Sequence, residues 1–320
     1  MTHPKMKLTC LAFLAVCLSS LSLPAADNPS RGITVGFSQT GAESAWRVAN
    51  TRSIQAEAEK RGITLKFSDG QSRQENQIRA IRSFVTQHVD AIILAPIVET
   101  GWDAVLREAK RAGIPVILES RTIKGSDDSL YVTFIGSNFL EEGRMAAEWL
   151  AAHPHGEGRI VELQGEPGSA PANERRSAFA KGIAAHPELH IIDSQSGNFR
   201  RSDGKMVMEA MLKKYGRGID IVYAHNDDMG LGAIQAIDEA GLKPGTDIIV
   251  ITIDAIREGV QAVVDGRFNC VVECNPMFGP KVFDAIDQTR AGRPVPKIIY
   301  NHDDLFDSTN AAKVIAAREY

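Results

Sequence analysis

The sequence predicts an α/β protein made of two Rossmann-like, doubly wound parallel-sheet lobes joined by hinge crossovers. Three observations predict it. Short Val/Ile-rich runs alternate with helical patterns along the chain, many helical patterns stop at a glycine, and the apolar runs end in clusters of hydrogen-bonding side chains. Alternating strand and helix units argue for a parallel sheet covered on both faces. At 320 residues the chain exceeds one typical domain, leaving room for two sheets of about five or six strands.

The elements follow in order. A strand at 33–37 runs into Ser38-Gln39 and opens a helix at 44–61, which stops at Gly62. A strand at 64–67 runs into Ser68-Asp69-Gly70 before a helix at 74–87, where Ile78, Ile81, Phe84 and Val85 show the spacing of one buried helical face. The run 91–94 leads to a helix at 101–112, stopped by Gly113. The strand at 116–118 ends in Glu119-Ser120-Arg121, and the break between lobes is expected near 135–138. Helices at 140–152, 172–185 and 204–215 follow. The strand 221–224 then runs into His225-Asn226-Asp227-Asp228, a helix at 229–240 and Gly241. The strand 248–253 ends in Asp254, and helices at 258–266 and 280–290 complete the pattern. The expected lobes are 33–136 plus 275–296 and 137–274 plus 297–320. No linker or low-complexity segment separates them, so short crossovers and hinge closure are expected.

Composition narrows the function. The chain is 43% apolar and 24% charged, ordinary for a soluble globular protein, with a net charge of −4. No basic stripe suits a nucleic-acid backbone, so nucleic acid is not an expected partner. Residues 1–26 read as a secretory signal: Lys5 and Lys7, an apolar run over 8–23, then Pro24-Ala25-Ala26, with cutting expected after Ala25 or Ala26. Cutting there removes two lysines and no acid, taking the charge from −4 to −6. Cys10 and Cys17 leave with that segment. Cys270 and Cys274 remain in an exported protein, and four residues along a continuous strand span roughly 13 Å, beyond disulfide reach. They are read as buried free thiols. No zinc spacing surrounds them, and no metal or cofactor is expected.

In an open parallel α/β sheet, ligands bind beyond the carboxyl ends of the strands. Polar tips on apolar strands therefore suit a small, hydroxyl-rich ligand. The loop 38–47 sits at such a tip and opens a helix. A sugar offers an apolar face that Trp46 can stack on and a hydroxyl rim that the planar Arg47 can bond. The competing reading packs Trp46 in the core and gives Arg47 a surface ion pair. Asp69 and Asp227 read equally as helix caps, and Arg175 sits in a charged helix start beside Arg176.

Several blocks carry a resemblance. Val35-Gly36-Phe37-Ser38-Gln39 with Trp46-Arg47, Asp69-Gly70-Gln71 with Gln74-Glu75-Asn76-Gln77-Ile78, and Val222-Tyr223-Ala224-His225-Asn226-Asp227-Asp228-Met229 look like the galactofuranose-binding periplasmic proteins. These belong to the ribose/galactose class of ABC-transporter receptors. Glu162-Leu163-Gln164-Gly165 and Ser194-Gln195-Ser196-Gly197 match as well, in register from about residue 33 to 280 and fading after it. The resemblance implies the periplasmic binding protein-like fold and ligand contacts at Ser38, Gln39, Trp46, Arg47, Asp69, Arg121, Asn138, Arg175, Phe199, Asn226, Asp254 and Glu273. It departs at Ser120, where the family pairs an Asp with Arg121. Glu119 is a possible substitute, but as the strand neighbour it should face the other way. The implied partners are a monosaccharide, galactofuranose or galactose first, and an inner-membrane ABC permease with its ATPase subunits. The implied form is a periplasmic monomer.

Other classes fit less well. His225 lies near Asp227 and Asp228 without a third spaced ligand, and there is no nucleophile elbow, phosphate loop or dinucleotide fingerprint. A two-lobed transcription regulator needs a helix-turn-helix where this chain has its signal segment. Another pentose, hexose or polyol, and a chemotaxis or histidine-kinase partner, stay open.

Overall fold

The computed structural model describes residues 1–2, 32–125, 127–153 and 156–320. Beyond its first two residues, the expected leader over 1–26 lies outside the described residues. Among those described, no helix is long and apolar enough to cross a membrane.

Strand and helix alternate from the start: β1 (Thr34–Gln39), α1 (Ala45–Arg61), β2 (Thr64–Asp69), α2 (Gln74–Thr86), β3 (Ala91–Leu94), α3 (Asp103–Arg111), β4 (Val116–Glu119) and β5 (Thr133–Gly136). The pattern repeats with α4 (Phe139–Ala152), β6 (Arg159–Gln164), α5 (Ala170–Ile183), β7 (His190–Ser196), α6 (Arg201–Tyr215), β8 (Ile221–Ala224), α7 (Asp227–Glu239), β9 (Ile249–Asp254), α8 (Arg257–Val264) and β10 (Cys270–Glu273). Then come α9 (Gly279–Arg290), β11 (Ile298–Tyr300), β12 (Leu305–Asp307) and the short α10 (Ala311–Val314).

Two six-stranded sheets result, in the orders β2-β1-β3-β4-β5-β11 and β7-β6-β8-β9-β10-β12. Every pairing is parallel except that of β10 with β12. Both sheets reverse their strand order beside their first strand, β1 or β6. The helices that follow, α1 and α5, open at those switch points, where such sheets bind ligands. Strands covered on both faces should be apolar throughout, and Ile92, Ile93 and Leu94 of β3 are wholly buried. Each such side chain contributes about 1.5–3 kcal/mol.

One expected boundary is corrected. Residues 297–320 do not all belong to the second lobe, because β11 joins the edge of the first sheet with Ile298 opposite Phe134 and Tyr300 opposite Gly136. The Tyr300 ring meets Phe134 edge-on at 6.3 Å. Three residues are too few to show a strand period in sequence. The chain therefore passes between the sheets between β5 and α4, between β10 and α9, and between β11 and β12.

Local signals end the helices as their chemistry requires. Ser44 caps α1, its hydroxyl accepting from Arg47 N at 3.1 Å. Gly62 closes the helix at φ +69°, its N–H donating to Ala58 and Glu59. Gly232 works differently. It lies in α7 where a Cβ would stand 2.1 Å from the Arg201 carbonyl oxygen of α6, so the two backbones touch there. Alanine in place of a helical glycine ordinarily stabilises by about 0.5–1 kcal/mol. At this crossing it must push the helices apart, so we expect Gly232→Ala to destabilise by about 1–3 kcal/mol. Urea unfolding checks this: a lower midpoint at unchanged slope is expected, and an unchanged or higher midpoint would show that the crossing is not rigid.

Candidate ligand-binding cleft

The carboxyl ends of both sheets face one small cavity. The first lobe lines it with Glu43, Ser44, Trp46 and Arg47 from the start of α1 and with Ser120 and Arg121 beyond β4. Pro171, Arg175, Phe199, Asn226 and Asp254 come from the second lobe, and Phe139 and Cys274 from the passages between lobes.

On the first lobe, the cap at Ser44 fixes the turn that carries Trp46 and Arg47. The Trp46 indole N–H donates to the Cys274 carbonyl, and its ring meets Phe278 edge-on at 6.0 Å. Arg47 donates from Nε to Glu43 Oε1 at 3.1 Å and from Nη1 to Ser120 Oγ at 2.8 Å. Arg121 donates from Nη1 to the Ile97 carbonyl at 3.0 Å and lies 3.6 Å from Glu43. Its Nε is buried without a protein partner. Burial, then the charge of Arg47, pushes the Arg121 guanidinium down to about 10. Burial pushes the Glu43 carboxyl up, but Arg47 and Arg121 outweigh it and hold it below the usual range.

On the second lobe, Arg175 donates from Nε to Glu142 Oε2 at 2.6 Å and from Nη1 to the His225 carbonyl at 2.5 Å. Asp254 stands 3.8 Å from Arg175 Nη2. Burial raises the Asp254 carboxyl well above its ordinary value, against the pull of Arg175. Asn226 caps α7, accepting from Met229 N at 3.0 Å, and donates to the Phe199 carbonyl at 3.2 Å. Across the cavity the Arg121 guanidinium lies 5.3 Å from the Phe199 ring centre. Three lining residues hold left-handed backbones: Ser120 at φ +61°, Phe199 at +61° and Asp254 at +126°. Each costs about 1–3 kcal/mol and persists only where its surroundings over-determine it.

Of the residues singled out in the sequence, Trp46, Arg47, Arg121, Arg175, Phe199, Asn226 and Asp254 meet at the cavity. The others stand elsewhere. Ser38 is wholly buried at the end of β1, and Gln39 donates to Asn50 Oδ1 at 2.8 Å, behind the cavity wall. Asp69 is exposed and accepts from Gln71 N at 2.7 Å, which makes it a turn residue. Asn138 caps α4, accepting from Glu141 N at 3.2 Å. Glu273 is taken by Arg318, the Tyr320 hydroxyl at 2.7 Å and Asp304 N at 3.2 Å. Asp227 is not the cap of α7, since Asn226 is; it accepts from Thr252 Oγ1 at 2.5 Å and Ile256 N at 2.8 Å instead. Glu119 does face away from the cavity, accepting from Asn50 Nδ2 at 3.0 Å. Cys270 and Cys274 are free and buried. His225 pairs with Glu162 at 3.0 Å, and among the described residues no cluster of His, Cys, Asp or Glu could hold a metal ion.

Sequence reasoning missed Glu43, Ser44, Phe139, Pro171 and Cys274. Glu43 had a signal, standing one helical turn before Arg47. Phe139 and Cys274 each follow a chosen residue by one position, and only the path of the chain between lobes decides which neighbour turns inward.

Residues 35–289 match the family described as the periplasmic binding protein domain. Over 294 residues the chain is 47% identical to the galactofuranose-binding protein YtfQ of Escherichia coli K12, covering 91% of each. A Mycobacterium smegmatis structure in complex with β-D-fucofuranose superposes with a TM-score of 0.87 at 50% identity, over 90% of this chain and 95% of that one. The periplasmic binding protein component of the arabinose ABC transporter from Shewanella sp. ANA-3, bound to α- and β-L-arabinofuranose, also gives 0.87, at 49% identity over 89% and 95%.

The buried carboxyl of Glu119 generates a pH dependence. Burial pushes it up to about 7 from 4.5, against Arg47 and Asn50. The folded state then holds the proton more tightly than the unfolded one, so stability falls as pH rises from about 4.5 to 7 and stays lowered above that. A shift of this size corresponds to about 3 kcal/mol. We expect Glu119→Gln to gain stability relative to the parent by an amount that grows between pH 5 and pH 8. Urea unfolding across that window measures it, and a gap constant with pH would contradict the assignment.

Proposed function

The chain belongs to the periplasmic binding protein domain family, and on that premise we propose that it captures one monosaccharide in furanose form for an ATP-driven importer. The supporting observation is the cavity itself. Both lobes line it, and its walls pair aromatic rings with fixed guanidinium and carboxylate groups. Trp46 and Phe199 offer apolar faces for the C–H side of a sugar, while Arg47, Arg121, Arg175, Asn226 and Asp254 surround its hydroxyls. Charge-assisted hydrogen bonds of this kind are worth about 1.5–3 kcal/mol each. The relatives named above are galactofuranose-, fucofuranose- and arabinofuranose-binding proteins, so galactofuranose or a near relative is the first ligand to try.

In this reading the protein carries its ligand and catalyses nothing. Arg47 is tied to Glu43 and Arg175 to Glu142, an arrangement that holds hydroxyls in place. Three short passages between lobes act as the hinge, and the closed form is what an inner-membrane permease recognises. The protein works as a monomer in the periplasm, delivered there by the segment 1–26.

Calorimetric titration with galactose, arabinose, ribose and glucose tests the reading, with ¹³C-labelled galactose to read the bound ring form from its anomeric carbon signal. We expect galactose or arabinose to bind as furanose, and Arg47→Ala and Asp254→Ala each to weaken binding at least about tenfold. Affinities within twofold of the parent in both variants would remove these residues from the site. A radius of gyration unchanged by saturating sugar would remove hinge closure.

A further inference from the structure

Asp228 sits in the first turn of α7, only 6% exposed and outside the cavity lining. Its Oδ1 is held by Arg201 of the same lobe, 3.1 Å from Nε and 3.0 Å from Nη2. Its Oδ2 crosses the cleft and accepts from Ala45 N, the first residue of α1, at 2.8 Å. The N–H groups of a first helical turn have no partner within their own helix, and the helix dipole favours an anion there. Ser44 already serves the Arg47 N–H. The Ala45 N–H is thus left for Asp228, and the helix it anchors carries Trp46 and Arg47 as its next two residues. Besides the Arg121–Phe199 contact, bonds across the cleft include Asn173 Nδ2 with Glu99 Oε2 at 2.6 Å, Glu99 N with the Gly168 carbonyl at 2.9 Å, and Arg200 Nη2 with Ser72 Oγ at 3.3 Å. Among these side-chain and backbone bonds, that of Asp228 bears directly on the turn that presents the ligand-facing residues.

We propose that Asp228 is a closure latch, a positioning residue that never touches the sugar but holds the start of α1 against the second lobe. The inference rests on the sugar-capture reading given above. When the lobes part, the carboxylate stays with Arg201 while the Ala45 N–H returns to water. Removing the bond lowers the closed fraction, and the apparent affinity falls by the same factor for every ligand that needs the closed form.

The donor can be deleted without disturbing the helix. Proline is favoured at the first helical position, and Ser44 before it is already extended at φ −143°, ψ 159°. We therefore compare Asp228→Ala, Ala45→Pro and the double variant in titrations with galactose and arabinose. A charge-assisted hydrogen bond corresponds to a loss of about tenfold or more. Each single variant should weaken both sugars by that amount, keep the ratio of their affinities within about twofold of the parent, and lose nothing more when combined, since both changes remove one bond. Effects that multiply in the double variant, a shifted ratio, or affinities within twofold of the parent would overturn the latch. Should Asp228→Ala melt early through loss of the Arg201 pair, Ala45→Pro keeps that pair and carries the test. Scattering from the sugar-free chain reads the latch separately: both variants should enlarge the radius of gyration, and equal radii would overturn it. A parent chain that binds none of the sugars defeats the sugar-capture reading, while the scattering result still decides the latch.

Discussion

A guanidinium group taken out of water must recover its hydration from carboxylates and carbonyls, and the cleft takes in three of them at once. Arg47, Arg121 and Arg175 are each no more than 3% exposed. Without Glu43 between the first two and Glu142 behind the third, their mutual repulsion and lost hydration would cost several kcal/mol apiece. Much else follows from that need. Glu43 must stand one turn before Arg47, α4 must present Glu142 to α5, and the carbonyls of Ile97 and His225 must point inward from loops just past the strands.

The frame that meets these demands is one layout used twice. Each sheet turns its carboxyl edge to the cleft, and each reverses its order beside the strand that feeds the helix carrying an inward arginine, α1 with Arg47 and α5 with Arg175. The strained backbones belong to the same design. Ser120, Phe199 and Asp254 leave ordinary backbone space where a chain must turn sharply to present one side chain to the cavity. Energy stored there is balanced by the fully buried strands behind.

The polar groups outside the cavity divide between two jobs. Gln39 and Glu119 brace α1 from below through Asn50. Glu273 ties the end of β10 to the last residues of the chain through Arg318 and Tyr320. A polar residue at a strand tip is therefore not by itself a ligand contact. It can as well be the anchor that keeps a contact in position, and one step along the strand changes which of the two it is.

That distinction marks where the sequence stops. The period of the apolar residues, the helix-ending glycines and the polar strand tips determine the two largely parallel sheets and place the cleft at their carboxyl ends, because backbone geometry and burial repeat at fixed spacings. Trp46, Arg47, Arg121, Arg175, Phe199, Asn226 and Asp254 are legible at those tips on residue type and resemblance together. The position of β11 in the first sheet is not legible, nor are the inward turns of Phe139, Pro171 and Cys274 or the reach of Asp228 to Ala45. Each depends on where the chain lies after passing between lobes, and contacts between residues far apart in sequence leave no spacing to read. Only the tertiary structure decides them.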